Sequence, residues 1–234
     1  MDAINIILPL ASSALSFTFA ILVMARYVKK RGLHQLLWGF GTIMYGVGGL
    51  AEALHGLIGF TAIGFRLWYL LGAMLVAAWL GQGTIYLLVK KSVAHVLMAI
   101  LVAATIFGAV RVFGATLDPD LITESVHTGS ELSGHAITSG GVRILTPFFN
   151  LYGTVALVGG AIWSAIVFFR KRILLHRTLG NLLIAAGAIL PALGGTFSRA
   201  GIPNALYISE LLGIVLLFLG FLRATTPMEN EKSE

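Results

Sequence analysis

Glu52 and Glu210 each stand inside a long apolar stretch of the chain. A carboxylate in such a place is costly, and it is kept where it pairs with another group, lines a watery cavity or relays a proton. His55 follows Glu52 by three residues, so on a helix it sits one turn along the same face. Four arginines, Arg66, Arg111, Arg143 and Arg199, fall at the ends of apolar stretches. A planar guanidinium suits carboxylate and phosphate oxygens. The expectation is a polar vestibule in which the glutamates pair with arginines and surplus positive charge receives an anionic solute or the propionates of a haem. Asn150 and Tyr152 complete the candidate ligand-binding set, because Pro147 frees a backbone carbonyl just before them. The plainer alternative is that the arginines reach lipid headgroups while the glutamates make structural helix contacts.

The other histidines offer less. His34, His95 and His176 stand beside basic residues and read as interface anchors. A bis-histidine haem would have to join His55 to His127 or His135. There is no H-x-x-x-H pair, G-x-S-x-G elbow or phosphate-binding lysine loop, and no cysteine. No catalytic or metal-ligating residue is therefore nominated, and no cofactor is specified.

Hydrophobic residues make up 57% of the 234 positions and charged residues only 11%. Soluble domains run near 45–50% and about 25%. The fold class is thus all-α: a single polytopic membrane domain over 1–234, with seven transmembrane helices near 4–26, 35–57, 67–89, 93–114, 144–168, 178–198 and 204–223. No room is left for a soluble catalytic domain. Arg26, Lys29, Lys30 and Arg31 follow the first apolar run, which reads as a retained span with its N-terminus outside. With that orientation, twelve of the sixteen Lys and Arg lie inside, together with the C-terminus and the polar tail 224–234. The net charge of +6 then faces anionic lipid, not nucleic acid. The acidic stretch 115–143 becomes an outer loop, either a short cap or a lid. Integral placement in the plasma (cell inner) membrane is expected.

Trp38 and Trp68 read as interfacial belt residues, Trp79 and Trp163 as deeper ones, and Gln82, Thr84 and Asn181 as interhelical hydrogen-bonders. Twenty-eight glycines favour close helix packing.

A faint parallel repeat runs through the chain. Pro9 opens a helix that ends in a basic cluster and His34, and Pro147 opens one that ends in a basic cluster and His176. Leu70-Leu71-Gly72 lies 38 residues beyond His34 at its glycine, and Leu211-Leu212-Gly213 lies 37 beyond His176. The resulting 3+1+3 order is similar to that of the SWEET and PQ-loop carriers, and the likeness is one of topology alone. The Pro-Gln dipeptide of that family is missing, since Pro9 precedes Leu10 and Pro147 precedes Phe148. Microbial rhodopsins also have seven helices, but the seventh stretch here has no lysine for a retinal Schiff base.

The functional expectation is a carrier or binding protein for a small, anionic solute, with an outward-facing polar site between two three-helix blocks that rock about Pro9, Pro147 and Pro191. The alternatives are a receptor-like or accessory subunit acting through a partner chain, and a haem- or quinone-binding redox subunit. Expected partners are the lipid bilayer, the solute, and either further copies of the chain or another membrane subunit.

Overall fold

The computed structural model describes residues 3–123, 135–170, 175–202 and 204–225, with the backbone alone at Arg199. Its helices are α1 (Ile4–Lys30), α2 (Leu33–Ile58), α3 (Ala62–Leu88), α4 (Lys91–Phe113), a short α5 (Pro119–Thr123), α6 (Val142–Arg170), α7 (Leu175–Arg199) and α8 (Ala205–Thr225). Among the described residues the only strand-like pairing is one bridge, Leu117 with Ile137. Six helices, α1, α3, α4, α6, α7 and α8, are long and apolar enough to cross a membrane, which makes this a helical membrane protein. α2 is as long, at 26 residues, but six glycines together with Gln35, Thr42, Glu52 and His55 dilute its apolarity.

The helices outrun the apolar stretches from which they were expected. α1 continues through Lys29 and Lys30, cations that suit the negative end of a helix. α3 starts at Ala62 instead of near 67, because the Thr61 side chain accepts a hydrogen bond from the Gly64 N–H at 3.0 Å and caps the first turn. That early start carries Trp68 well inside the helix.

α1 packs on α2, α2 on α3, α3 on α6, α6 on α7, α7 on α8, and α8 back on α1. These six helices close a ring. α4 stands outside it against α3, with 17% of its apolar core stretch buried against 39% for α1. The large side chains it turns outward, among them Ile100, Ile106 and Phe107, suit lipid tails.

Glycines set the closest crossings, where lipid offers no hydrophobic drive and contact distance decides. Gly48 of α2 meets Gly72 of α3, Gly81 of α3 meets Gly153 of α6, and Gly187 of α7 meets Gly213 of α8. A Cβ on Gly153 would lie 2.2 Å from the Ala77 carbonyl carbon, whereas one on Gly159, six residues along, would meet nothing within 4 Å. Gly153→Val is therefore expected to cost more than the ~1–3 kcal/mol typical of overpacking, because backbone cannot rotate aside. Gly159→Val should stay within about 0.5 kcal/mol, as for an ordinary surface change. Thermal unfolding of the two variants in one detergent checks the contrast.

The turn between α2 and α3 is packed under the long connection that follows α4. Gly59 ends α2 with φ 77°, a conformation natural to glycine. The next residue, Phe60, donates its N–H to the Ile122 carbonyl at 3.1 Å. Residues 114–123 and 135–141 are tied together by Asp118 N–H to Ala136 O at 2.9 Å and Thr138 N–H to Thr116 O at 3.1 Å. Ile122, Ala136 and Ile137 then pack with Phe60, Phe65 and Trp68. The end of the bundle that holds this connection is its loop end. The opposite end, with Lys29, Lys30, Lys90, Lys91 and Arg170, is the basic end.

Candidate functional site

The middle of α3, Trp68–Leu75, is wound as a π-helix. Its wider turn rotates the residues before it relative to those after it, a distortion that recurs at functional positions. Here it coincides with the Gly48–Gly72 crossing and points the Trp68 indole at α2. The Trp68 Nε1–H donates to Glu52 Oε1 at 2.8 Å, and both residues are buried, at 5% and 2% exposure. From α6, Asn150 Nδ2 donates to the Ala73 carbonyl within the π segment at 3.1 Å and helps to hold it.

Glu210 comes to the same place from α8. Its backbone carbonyl accepts the Tyr45 hydroxyl at 2.8 Å, fixing α8 to α2. Glu52 and Glu210 then line the same cavity, close enough to interact with one another. While both are ionised they are acceptors only, and Glu52 Oε2 is buried with no donor among the described residues. A shared proton or a bound cation supplies what is missing. Two carboxylates in contact away from bulk water cannot both stay charged otherwise.

The pair opens onto a cavity of about 980 Å³ inside the ring, lined by α2, α3, α6, α7 and α8. His135 and Arg143 line it toward the loop end, Trp68, Tyr69 and Tyr45 flank the carboxyls, and Pro147 and Pro191 form part of its wall. Its floor is Leu80, Leu157 and Leu217. The same three leucines roof a second, small cavity of about 60 Å³ toward the basic end, which is lined by Trp38, Thr84, Ser164 and Asn181. On all five helices the residues of the two cavities follow one another in order, and on α3, α6 and α8 they meet at these leucines. At 1.5 Å per residue, the seven steps from Glu210 to Leu217 put the partition about 10 Å below the carboxyls.

Several expected site residues lie elsewhere. Glu52 takes its hydrogen bond from Trp68, and two of the arginines serve the loop end. Arg66 donates to the Ala115 carbonyl at 2.9 Å and Arg111 to the Gly140 carbonyl at 3.0 Å. Arg143 alone of the four is seen to line the cavity, and the Arg199 side chain lies outside the described ones. The surplus of positive charge expected there is thus absent from the described lining. His55 is buried and stacked on Phe60 at 4.0 Å between ring centres, in the aromatic cluster beside the cavity. His127, Glu124 and Glu131 lie outside the described residues. Tyr152 donates to Gln82 Oε1, and Gln82 Nε2 donates to the Ala94 carbonyl at 2.9 Å, so that chain ties α6, α3 and α4 together away from the cavity wall. Asn150 does line the cavity.

The tryptophans also differ from expectation. Trp68 is no belt residue but the donor to Glu52, and Trp38 faces inward, over Thr84 Oγ1 at 3.4 Å. Trp79 reaches Thr105 Oγ1 at 3.3 Å, and Trp163, 62% exposed, faces away from the ring. Asn181 bonds its own helix, to the Arg177 carbonyl at 2.8 Å, instead of a neighbour. Sequence reasoning passed over Trp68, Tyr69 and Tyr45. For Tyr45 the signal is an aromatic residue with a polar tip two helical turns from the intramembrane carboxylate Glu52; Trp68 and Tyr69 stand on another helix and carry no such signal.

No protein-family model, curated protein or solved structure matches this chain.

Proposed function

We propose that the protein is a seven-helix carrier for a small solute, set in the plasma (cell inner) membrane with its N-terminus outside. The observation that carries this reading is the large cavity inside a closed helix ring, with a carboxyl pair on its wall and a thin leucine floor above a second cavity. A receptor would need a pocket but not a second cavity in line beneath it. α2 counts as the seventh span, because in the ring its polar residues face protein and cavity while Phe40, Leu50, Leu54 and Leu57 face outward. The clustering of Lys and Arg at one end of the bundle supports the orientation.

Two observations support a parallel 3+1+3 repeat. Turning α1–α2–α3 onto α6–α7–α8 exchanges the two seams of the ring, α3 with α6 and α8 with α1. It also exchanges Gly72 with Gly213, each of which meets a glycine of the preceding helix. Carriers built this way bind at the interface of the repeats and move by rocking one against the other. Pro147 and Pro191, both on the cavity wall, are suited to absorb such a motion.

The chain has no cysteine, so a single introduced thiol is a unique reporter. Applied to intact cells, a membrane-impermeant maleimide is expected to label Ser139→Cys and Thr196→Cys, and to label Lys90→Cys only after permeabilisation. Reconstituted protein should then pass solute into liposomes, and a bulky adduct on Thr196→Cys should slow that flux. Labelling of Lys90→Cys from outside would reverse the orientation, and solute that binds without ever crossing would remove the carrier reading.

A further inference from the structure

We infer that the Glu52–Glu210 pair is an exchange site for a monovalent organic cation, which enters the cavity by displacing the proton the two carboxyls share. The inference rests on the carrier reading for its direction of flow, but the site itself stands on geometry. Glu52 is 2% exposed, its Oε1 is held by the Trp68 indole, and its Oε2 is buried with no donor among the described residues, while the residue itself lines a cavity large enough for a small organic ion. Trp68, Tyr69 and Tyr45 line the cavity beside it. A carboxylate with aromatic side chains close by is a surrounding that holds ammonium-type ions.

Charge conservation favours exchange over simple addition. With one shared proton the pair carries a single negative charge, and Arg143, on the α6 part of the lining, brings the formal charge of the described lining to zero. When a monovalent cation enters and the proton leaves to water, two carboxylates stand against Arg143 and the cation, and the formal charge is again zero. No bond other than O–H is broken and no electron moves. An anionic solute would instead add to the charge of the carboxyls, which the low-dielectric interior penalises.

The ionisable groups facing the pair are few. α2 brings Tyr45, α3 brings Tyr69, α6 brings Arg143, and the connection after α5 brings His135. The described residues of α7 on the cavity wall are Gly187, Ala188, Pro191, Ala192, Gly195 and Thr196, none of them ionisable. His55 lies one turn from Glu52 but packs on Phe60.

The test uses detergent-purified full-length protein with tetraethylammonium and 1-methyl-4-phenylpyridinium as probes, and gluconate and a neutral sugar as contrasts. Binding is read from tryptophan fluorescence, with Trp68 beside the site, and proton release from a pH dye in weak buffer. Wild type should bind at least one of the cations, release about one proton per cation, and bind it up to about tenfold more tightly per pH unit gained over the titrating range. Glu52→Gln should lose both the release and the pH dependence. Because wild-type stoichiometry needs no variant, the inference stays testable even if Glu52→Gln fails to fold. Cation affinity independent of pH, with no proton released, overturns it. So does binding of gluconate or sugar but of neither cation, even if that solute crosses the bilayer and thereby upholds the carrier reading. Cation binding with proton release but no flux in liposomes upholds the exchange site and overturns the carrier reading instead.

Discussion

Glu210→Gln is expected to abolish solute accumulation while leaving the protein folded and at least as resistant to heat. Glutamine keeps the size of the side chain, and the bond that fixes α8 to α2 runs from the Tyr45 hydroxyl to the Glu210 backbone carbonyl, which the substitution does not touch. What is lost is an ionisable group that lines the same cavity as Glu52 and interacts with it. Removing one member of a buried, hydrogen-bonded charged group from a binding site typically costs ~2–5 kcal/mol of binding. That corresponds to roughly 30-fold or more in affinity. Stability should move the other way, since a neutral amide relieves the crowding of two carboxyls that share one proton. Initial uptake rates in liposomes, set beside melting temperatures in detergent, separate the two effects. Uptake within threefold of wild type would remove Glu210 from the site. Poor folding would make the pair a structural contact, the plainer alternative raised by the sequence.

Glu52 and Glu210 are legible without a structure because a carboxylate in an apolar stretch is a local anomaly. Their partner is not. Pairing with arginine is the sensible default from composition, yet Arg66 and Arg111 stand where helices end and donate to backbone carbonyls of the connection. Trp68 is misread for a related reason. Hydropathy dates the start of α3 to about residue 67, which would leave the indole at the membrane surface. The Thr61 cap adds a turn and more, and buries it. The π segment has no periodic signature, because one widened turn leaves the apolar pattern of a membrane helix unaltered. The rough extent of the six apolar spans follows from apolar run lengths. The order of helices around the ring does not, since all of them are apolar on the lipid side and the contacts that sort them are glycine crossings.

Leu217→Ala should turn the partition into a leak. Leu80, Leu157 and Leu217 are 7%, 7% and 6% exposed, and they are the three residues shared by the two cavities. A hydrophobic constriction can gate by dewetting, and so block polar solutes and ions without a charged gate. Trimming Leu217 to Ala joins about 980 Å³ on one side to about 60 Å³ on the other. It also costs about 2–5 kcal/mol of packing, as buried leucine truncations do, so Leu157→Ala on the opposite wall is the companion variant. In the cysteine-free chain, Ser164→Cys places one thiol in the lower cavity. A thiol reagent applied at the loop end should reach it at least about ten times faster when either leucine is truncated, a change equivalent to ~1.4 kcal/mol in barrier. Liposomes bearing the truncated protein should fail to hold a solute gradient that wild type holds. Filling the same place acts in the opposite sense: Leu217→Trp should stop flux without weakening ligand binding, because the carboxyls lie about 10 Å away along α8. Unchanged reactivity of Ser164→Cys in both alanine variants would mean that the leucines separate two unrelated voids, and the path through the ring would have to be sought elsewhere.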